Sequence, residues 1–332
     1  AGVTRANYLL ENKNNIDFEG KDKIIAEATF LRAYYYFELV KYFGDVPLVI
    51  DKRLGADEVT KIDRTPRNEV FAQIEQDLIF AAAALDWNDP VKGRVNKGAC
   101  LSLLGKAYLY QNKFNQAAST LDQVIDQNQY ELISEYNDLF KVNNEGHSES
   151  VFDVQYSGAE GGGYGCLICL EGNAAPGFQG IRQYSGPIYG DGNSYNLPTQ
   201  DLYDAFDAID IRRDATVLDI DAFIADQPNS SNITYAIGGG GHTGFYNNKY
   251  IKRLGEIGLP DNDLTSPVNY VVIRYADVLL MAAEAHNRAS TPDDSKAQNY
   301  LNQVRNRVNM SPINATGNAL TDAIWLERRL EL

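Results

Sequence analysis

The sequence predicts a mainly α protein: a helical scaffold laid down in two separated stretches, carrying between them a large irregular, loop-rich insertion with a few short strands. Two observations predict it. Apolar residues recur at helical spacing through the first third of the chain and again near its end. From Asn143 to about Val268 the composition turns to Gly, Asn, Ser, Pro and Tyr, with few periodic apolar positions. The expected organisation is residues 1–142 as the first part of the scaffold, 143–268 as the insertion and 269–332 as the closing part.

Turn signals separate the first five helices, expected at Val3 to Lys13, Lys21 to Tyr42, Arg67 to Leu85, Lys97 to Gln111 and Phe114 to Gln127. In the second, Ala28, Leu31, Tyr35 and Leu39 share one face of a 3.6-residue period, leaving Glu27, Arg32 and Lys41 for water. Gly44 stops that helix and Pro47 prevents its resumption. Leu104, Gly105 and Tyr108 match the L-G-x-x-Y core of the tetratricopeptide pattern, and Ala117 with Leu121 fills its A-x-x-x-F slot. A second pair, Arg274 to Arg288 and Ser295 to Val308, repeats the arrangement: Ala285 precedes Ala297 by the same interval as Gly105 precedes Ala117, and Leu301 stands for Leu121. The scaffold is therefore expected to be tetratricopeptide-like, without the continuous period of a plain solenoid.

Within the insertion, strands are expected at Val151 to Tyr156 and Ile233 to Ile237. One helix is expected at Thr199 to Phe206, with Thr199 as N-cap, Asp201 in the first turn, and Leu202 and Phe206 on one face. The DAIDIRRD run that follows reads as charged and surface-facing.

A formal charge of −15, from 45 acidic against 30 basic residues, repels phosphate backbones and anionic membranes, so nucleic-acid binding is not expected. No apolar run approaches the roughly 18–20 residues that span a bilayer, and the N-terminal stretch lacks signal-peptide features. Cys100, Cys166 and Cys169 make no disulfide framework, and no cysteine stands near residue 1 to carry a lipid. Tyr dominates the aromatics, 21 against 2 Trp, supplying rings that pack on one side and present a hydroxyl on the other.

Four blocks in order, AEATFLRAYYYFELVKYFGDVPLVI, NLPTQDLYDAFDAIDIRRD, NYVVIRYADVLLMAAEAHNRA, and LNQVRNRVNM with AIWLERRLEL, resemble the SusD/RagB family of glycan-binding outer-membrane lipoproteins. The resemblance implies non-covalent capture of an oligosaccharide or polysaccharide at the bacterial surface, no cofactor, and delivery to a SusC-like TonB-dependent transporter. Family members usually begin with a signal peptide and a lipid-accepting cysteine and continue beyond the ERRLEL helix. Both ends are therefore expected to be cuts in a longer polypeptide, and membrane attachment to run through an N-terminal lipid outside this chain.

Capturing a sugar needs aromatic faces for its C–H surfaces and amides, carboxylates or Arg for its hydroxyls. The expected platform is Tyr164, Tyr184, Tyr189 and Tyr195, with Asp191, Asn193, Arg182 and Gln183 as hydrogen-bonding groups, and Tyr246 and Tyr250 in reserve. Trp87 and Trp325 carry less weight, the first at a helix exit and the second on a scaffold-packing helix. Competing motifs are weak. His147, His242 and His286 form no H-E-x-x-H, and no G-x-S-x-G occurs. Gly239, Gly241 and Gly244 satisfy G-x-G-x-x-G without a βαβ context. Cys166 and Cys169 make a C-x-x-C that lacks the second pair a zinc site needs. Loop oxygens of Asp191, Asn193 and Asn196, or of Asp261 and Asp263, could meet a calcium ion but fit no EF-hand. Carboxylate pairs such as Asp201 with Asp204 do not single out a glycosidase. The alternative class is a tetratricopeptide-type scaffold that binds a protein or peptide in its helical groove.

Overall fold

A computed structural model describes the chain except residues 16, 51, 60, 159–171, 238–241 and 257–264 and the side chains at 56 and 59. In chain order its helices are α1 (Gly2–Glu11), α2 (Lys21–Phe43), α3 (Ala56–Val59), α4 (Arg67–Ala84), α5 (Lys97–Leu109), α6 (Phe114–Asp126), α7 (Ala175–Gln179), α8 (Gln200–Ala205), α9 (Arg212–Thr216), α10 (Ile220–Ala225), α11 (Tyr275–Asn287), α12 (Asp294–Arg307) and α13 (Gly317–Glu331). Among the described residues, four short strands accompany them: β1 (Ser150–Val154), β2 (Val217–Asp219), β3 (Phe245–Asn247) and β4 (Tyr270–Arg274). The fold is mainly α, as the periodicity predicts. Contacts divide it into two units, one of Ala1–Glu131, Ile273–Leu301 and Ile313–Ile324, the other of Leu132–Val272, Asn302–Pro312 and Trp325–Leu332.

In the first unit, neighbouring helices pack in series: α1 on α2, α2 on α4, α4 on α5, α5 on α6, and α6 on α11. The repeat glycine has a steric reason. A β-carbon at Gly105 would lie 2.5 Å from the Leu121 side chain, so the two helices approach closely only because it is missing. Ala117, Leu121, Ala285, Ala297 and Leu301, the other repeat positions, are fully buried.

The buried stripe of α2 is Ala26, Phe30, Ala33, Phe37 and Val40, offset from the predicted one; Leu31, Tyr35 and Leu39 lie on its half-buried flank. Arg32 corrects the expectation that it faces water. It is buried, and its guanidinium grips Asp77 of α4 through Nε–Oδ2 at 2.8 Å and Nη2–Oδ1 at 2.7 Å. It also donates to the Ile50 carbonyl at 2.6 Å. Such a fork compensates a charge removed from water. Tyr36 Oη pins the same loop, accepting the Val49 N–H at 2.7 Å and donating to the Val49 carbonyl at 2.9 Å.

Asp122 of α6 ties in α11 and α12, meeting His286 Nε2 at 3.0 Å, Lys296 Nζ at 2.7 Å and Tyr300 Oη at 2.9 Å. Burial alone would raise its pKa, but these hydrogen bonds outweigh burial and hold the carboxyl below its usual range.

In the second unit, β2 and β3 pair antiparallel with Leu218 opposite Tyr246, and β1 pairs with β4. The predicted strand at Ile233 to Ile237 is not formed. A 3₁₀ turn at Ser230–Asn232 precedes it, and only Thr234 bridges, to Ser185. Thr199 caps α8 as expected, its hydroxyl accepting the Leu202 N–H. Among the described residues, three apolar clusters line the interior of this unit. One gathers Ile181, Leu218, Ile220, Ile233 and Ile251 around three tyrosines; one centres on Tyr136 and Phe140; and one joins Phe206, Val217, Phe245 and Leu330.

The DAIDIRRD run lies at the surface as expected except at Asp210 and Arg212, which turn inward. Ile209 and Ile211 are 73% and 49% exposed, whereas Asp210 between them and Arg212 after them are buried, Arg212 at 0% exposure. Arg212 meets Asp210 (Nη2–Oδ2 2.7 Å), Glu327 (Nη1–Oε1 2.5 Å) and Glu331 (Nη1–Oε2 3.1 Å). Arg305 takes the other Glu327 oxygen at 2.6 Å, and Arg307 bridges Glu331 at 2.5 Å and Glu149 at 3.0 Å. Lys249 Nζ and Tyr136 Oη both donate to the Glu331 carbonyl at 3.0 Å. Burial opposes the Arg212 charge, but the carboxylates around it outweigh that cost and hold it protonated. A run of charges looks solvent-facing only when its partners, more than a hundred residues away, are out of view.

Arg212→Ala is expected to cost about 3–5 kcal/mol, because it strands buried carboxylates. Arg213→Ala, whose side chain is partly exposed and pairs with the exposed Asp214, is expected to cost no more than about 1 kcal/mol. Urea unfolding of both variants checks the contrast. Because the Asp122 carboxyl is lowered in the fold, its contribution is present above the unfolded carboxylate value near about 4 and is lost as pH falls through the folded one. The gap in melting temperature between the wild type and Asp122→Asn should therefore narrow from pH 7 to pH 3.

Candidate functional site

The segment from Asn173 to Tyr195 folds back on itself through its own backbone. Asn173 Oδ1 accepts the Ala175 N–H at 3.0 Å, and Pro176 sets the first turn of α7. Four consecutive N–H groups then return to this turn: Gly192 to the Ile181 carbonyl (2.9 Å), Asn193 to Gly177 (3.1 Å), Ser194 to Gly180 (2.8 Å) and Tyr195 to Phe178 (2.9 Å). Gly192 lies directly on the Gly180 backbone, with no room for a β-carbon. Asp191 Oδ1 accepts the Gln183 N–H at 2.6 Å, and Ser194 Oγ accepts that of Arg182 at 3.0 Å. Gln183 and Ser194 hold positive φ of 51° and 57°, a conformation these side chains adopt only when fixed by such bonds.

This return pairing brings together Arg182, Gln183, Asp191, Asn193 and Tyr195 of the expected set. Gln183 and Asp191 are exposed; Arg182 and Asn193 are half-buried, with Arg182 Nη2 3.4 Å from the Asn193 carbonyl. Tyr195 is 58% exposed and lies stacked on Phe178, ring centroids 6.0 Å apart and planes at 23°. Phe178 is the residue sequence reasoning missed. Its only signal was its place in AAPGFQG, a turn that has to receive the returning strand.

Tyr184 and Tyr189 stand elsewhere. Both are buried, ring to ring at 6.0 Å in a T-shaped contact within the isoleucine cluster. Tyr184 Oη donates to the Pro187 carbonyl at 2.7 Å. Burial raises both phenols above their ordinary range. They support the loop from beneath, and the exposed ring face belongs to Tyr195. Of the reserve pair, Tyr246 is fully buried in the same cluster, and Tyr250 packs on Phe140 at 5.5 Å. Tyr164, Cys166, Cys169, Gly239, Gly241, Asp261 and Asp263 lie outside the described residues. Trp325 is 48% exposed rather than packed away. Among the described residues, no group of three or more His, Cys, Asp or Glu is arranged to hold a metal ion.

An aromatic face flanked by amide and carboxylate groups, on a loop fixed by its own hydrogen bonds, can hold a ring that is apolar on one side and hydroxylated at its rim. Comparison with known proteins agrees in kind. Residues 1–109 match a family described as starch-binding and associating with the outer membrane. A SusD-like protein of Formosa agariphila, P2, is 31% identical, the match covering 99% of this chain and 67% of that protein. A SusD-like protein of Bacteroides ovatus is 29% identical, over 99% of this chain and 61% of its own length. The chain thus spans about two thirds of the length of these relatives. Among solved structures, a laminarin-binding SusD-like protein superposes with a TM-score of 0.87 at 33% identity, covering 99% of this chain and 73% of that one. Surface glycan-binding protein A of Bacteroides thetaiotaomicron, solved in complex with laminarihexaose, shares the fold at 23% identity and a TM-score of 0.84, over 99% and 72% of the two chains. Residues 128–332 match the SusD family, and the chain belongs to it.

Proposed function

We propose that this chain binds an oligosaccharide or polysaccharide non-covalently at the bacterial cell surface and passes it to a SusC-like TonB-dependent transporter. The observation that carries the reading is the exposed Tyr195 ring, stacked on Phe178 and bordered by Gln183, Asp191 and Asn193. The stack stiffens the ring, so little side-chain freedom is lost when a sugar covers it. The neighbouring amides and carboxylate donate and accept, as hydroxyls do. The role is that of a receptor: the loop offers contacts that orient a sugar, and release is by dissociation. A polymer that engages several such receptors gains avidity over a modest single-site affinity. Attachment to the outer membrane through an N-terminal lipid, and the transporter as partner, are proposed from family membership. The laminarin-binding relative makes laminarin and laminarihexaose the first ligands to try.

Tyr195→Ala is expected to weaken binding of the glycan the wild type recognises by tenfold or more, about 1.4 kcal/mol, at unchanged melting temperature. Isothermal titration calorimetry beside a thermal melt reads both, and unchanged affinity in a folded variant rejects the platform. Reducing-end assays on the same mixtures should show no product, and turnover would reject the receptor reading. Gly192→Ala, which puts a methyl into the Gly180 backbone, should accelerate amide exchange at residues 192–195 and cost about 1–3 kcal/mol, with the helical circular-dichroism signal kept.

A further inference from the structure

The first unit contains a cleft of about 550 Å³ walled by the end of α1, by α2 and by α4. That volume lies in the range of small-ligand sites. The α4 wall is formed by Gln73, Gln76, Asp77 and Phe80, spaced i, i+3, i+4 and i+7, so a single helical stripe faces the opening. α4 packs on its neighbours through Val70, Phe71, Ile74, Leu78 and Ala81, and the stripe that faces the cleft holds two amides, a carboxylate and an aromatic ring.

The buried charges of the cleft, Asp77 and Arg32, are already matched, and Glu11 and Lys13, which also line it, are exposed. Asp77 is held by both arms of Arg32 and by Gln73 Nε2 at 2.8 Å, so the floor is a closed ion pair that asks for no ionic ligand. Gln76 is exposed and has no hydrogen-bonding partner among the described residues, and Asn14 on the α1 side is likewise exposed. Phe80 is 50% exposed at the mouth, with Ile25 deeper in. An unpaired amide both donates and accepts. Set beside an aromatic face, over a neutral floor, it matches hydroxyl groups on a ring with an apolar side.

We propose that this cleft is a second saccharide subsite, taking a neutral segment of two or three sugar units, with Phe80 as the stacking face and Gln76, Gln73 and Asn14 reading hydroxyls. A peptide is a poorer occupant. Helical walls offer no sheet edge for an extended strand, and a docked helix needs a row of apolar anchors where this stripe has only Phe80. The subsite rests on the glycan-binding reading but uses different residues from the Tyr195 loop.

Calorimetry with laminarihexaose, together with affinity gels containing laminarin, tests it on the wild type, Phe80→Ala, Gln76→Ala and Tyr195→Ala. The expected result is two binding events in the wild type. One should be lost in Phe80→Ala and Gln76→Ala, the other in Tyr195→Ala, and retardation in laminarin gels should drop at least threefold in each. A single event abolished by Tyr195→Ala and untouched by Phe80→Ala and Gln76→Ala overturns the second subsite and leaves the proposed function standing. Absence of binding by the wild type across laminarin and a wider polysaccharide panel overturns both. Both α4 side chains are exposed, so thermal melts of Phe80→Ala and Gln76→Ala should match the wild type.

Discussion

The buried guanidinium of Arg212 is the constraint on which the second unit depends. It sits at zero exposure between Asp210, Glu327 and Glu331, and Arg305, Arg307, Glu149 and Lys249 extend the web. Segments that carry few apolar residues, DAIDIRRD, QVRNRV and ERRLEL, are thereby fastened to one another with defined geometry. A buried network of this type adds little net stability compared with a well-packed apolar core, but losing one member is costly, because the remaining charges stay desolvated. It therefore specifies one arrangement. Apolar clusters grow on either side of it, and Leu330 on the helix that supplies Glu327 and Glu331 joins Phe206, Val217 and Phe245.

β2 and β3 lie against these clusters, and Leu218 and Tyr246 from that ladder face the isoleucine cluster that also takes Tyr184 and Tyr189. The Tyr195 loop is thus anchored twice. Its tyrosines are driven inward from 184 and 189, and its outer edge is clamped by the run of N–H groups from Gly192 to Tyr195. The exposed face of the loop includes the Tyr195 ring on Phe178, with amides and a carboxylate at its side. Preorganisation of this sort suits a receptor for flexible polymers, since the ligand already loses considerable freedom on binding.

Much of the scaffold was legible in the sequence, because helical periodicity reports directly on which face is buried, and because Gly105 can sit opposite Leu121 only where two helices nearly touch. The errors share a cause. Periodicity treats Arg as a solvent residue, so Arg32 and Arg212 were assigned to water, although Asp77, Glu327 and Glu331 wait for them 45 or more residues away. In the insertion, composition announces that tyrosines are available but carries no information on which rings turn inward. Tyr184 and Tyr189 face an interior made by Ile220, Ile233 and Ile251, residues from three other segments. Phe178 escaped notice for the opposite reason, being a lone aromatic in a glycine-rich turn whose partner ring arrives seventeen residues later. Ile233 to Ile237 alternates like a strand, yet it meets the neighbouring backbone only at Thr234, which bridges Ser185, and at Ala236, whose N–H donates to the Arg182 carbonyl.

The central claim is that a glycan settles on the Tyr195 loop without being altered. Amide hydrogen exchange, followed along the chain with and without saturating laminarihexaose or whichever glycan binds first, addresses it directly. Slowed exchange across residues 177–196, with the sugar recovered intact, is the expected result. Exchange in that stretch unchanged at saturation, or a shortened sugar in the recovered ligand, would contradict it.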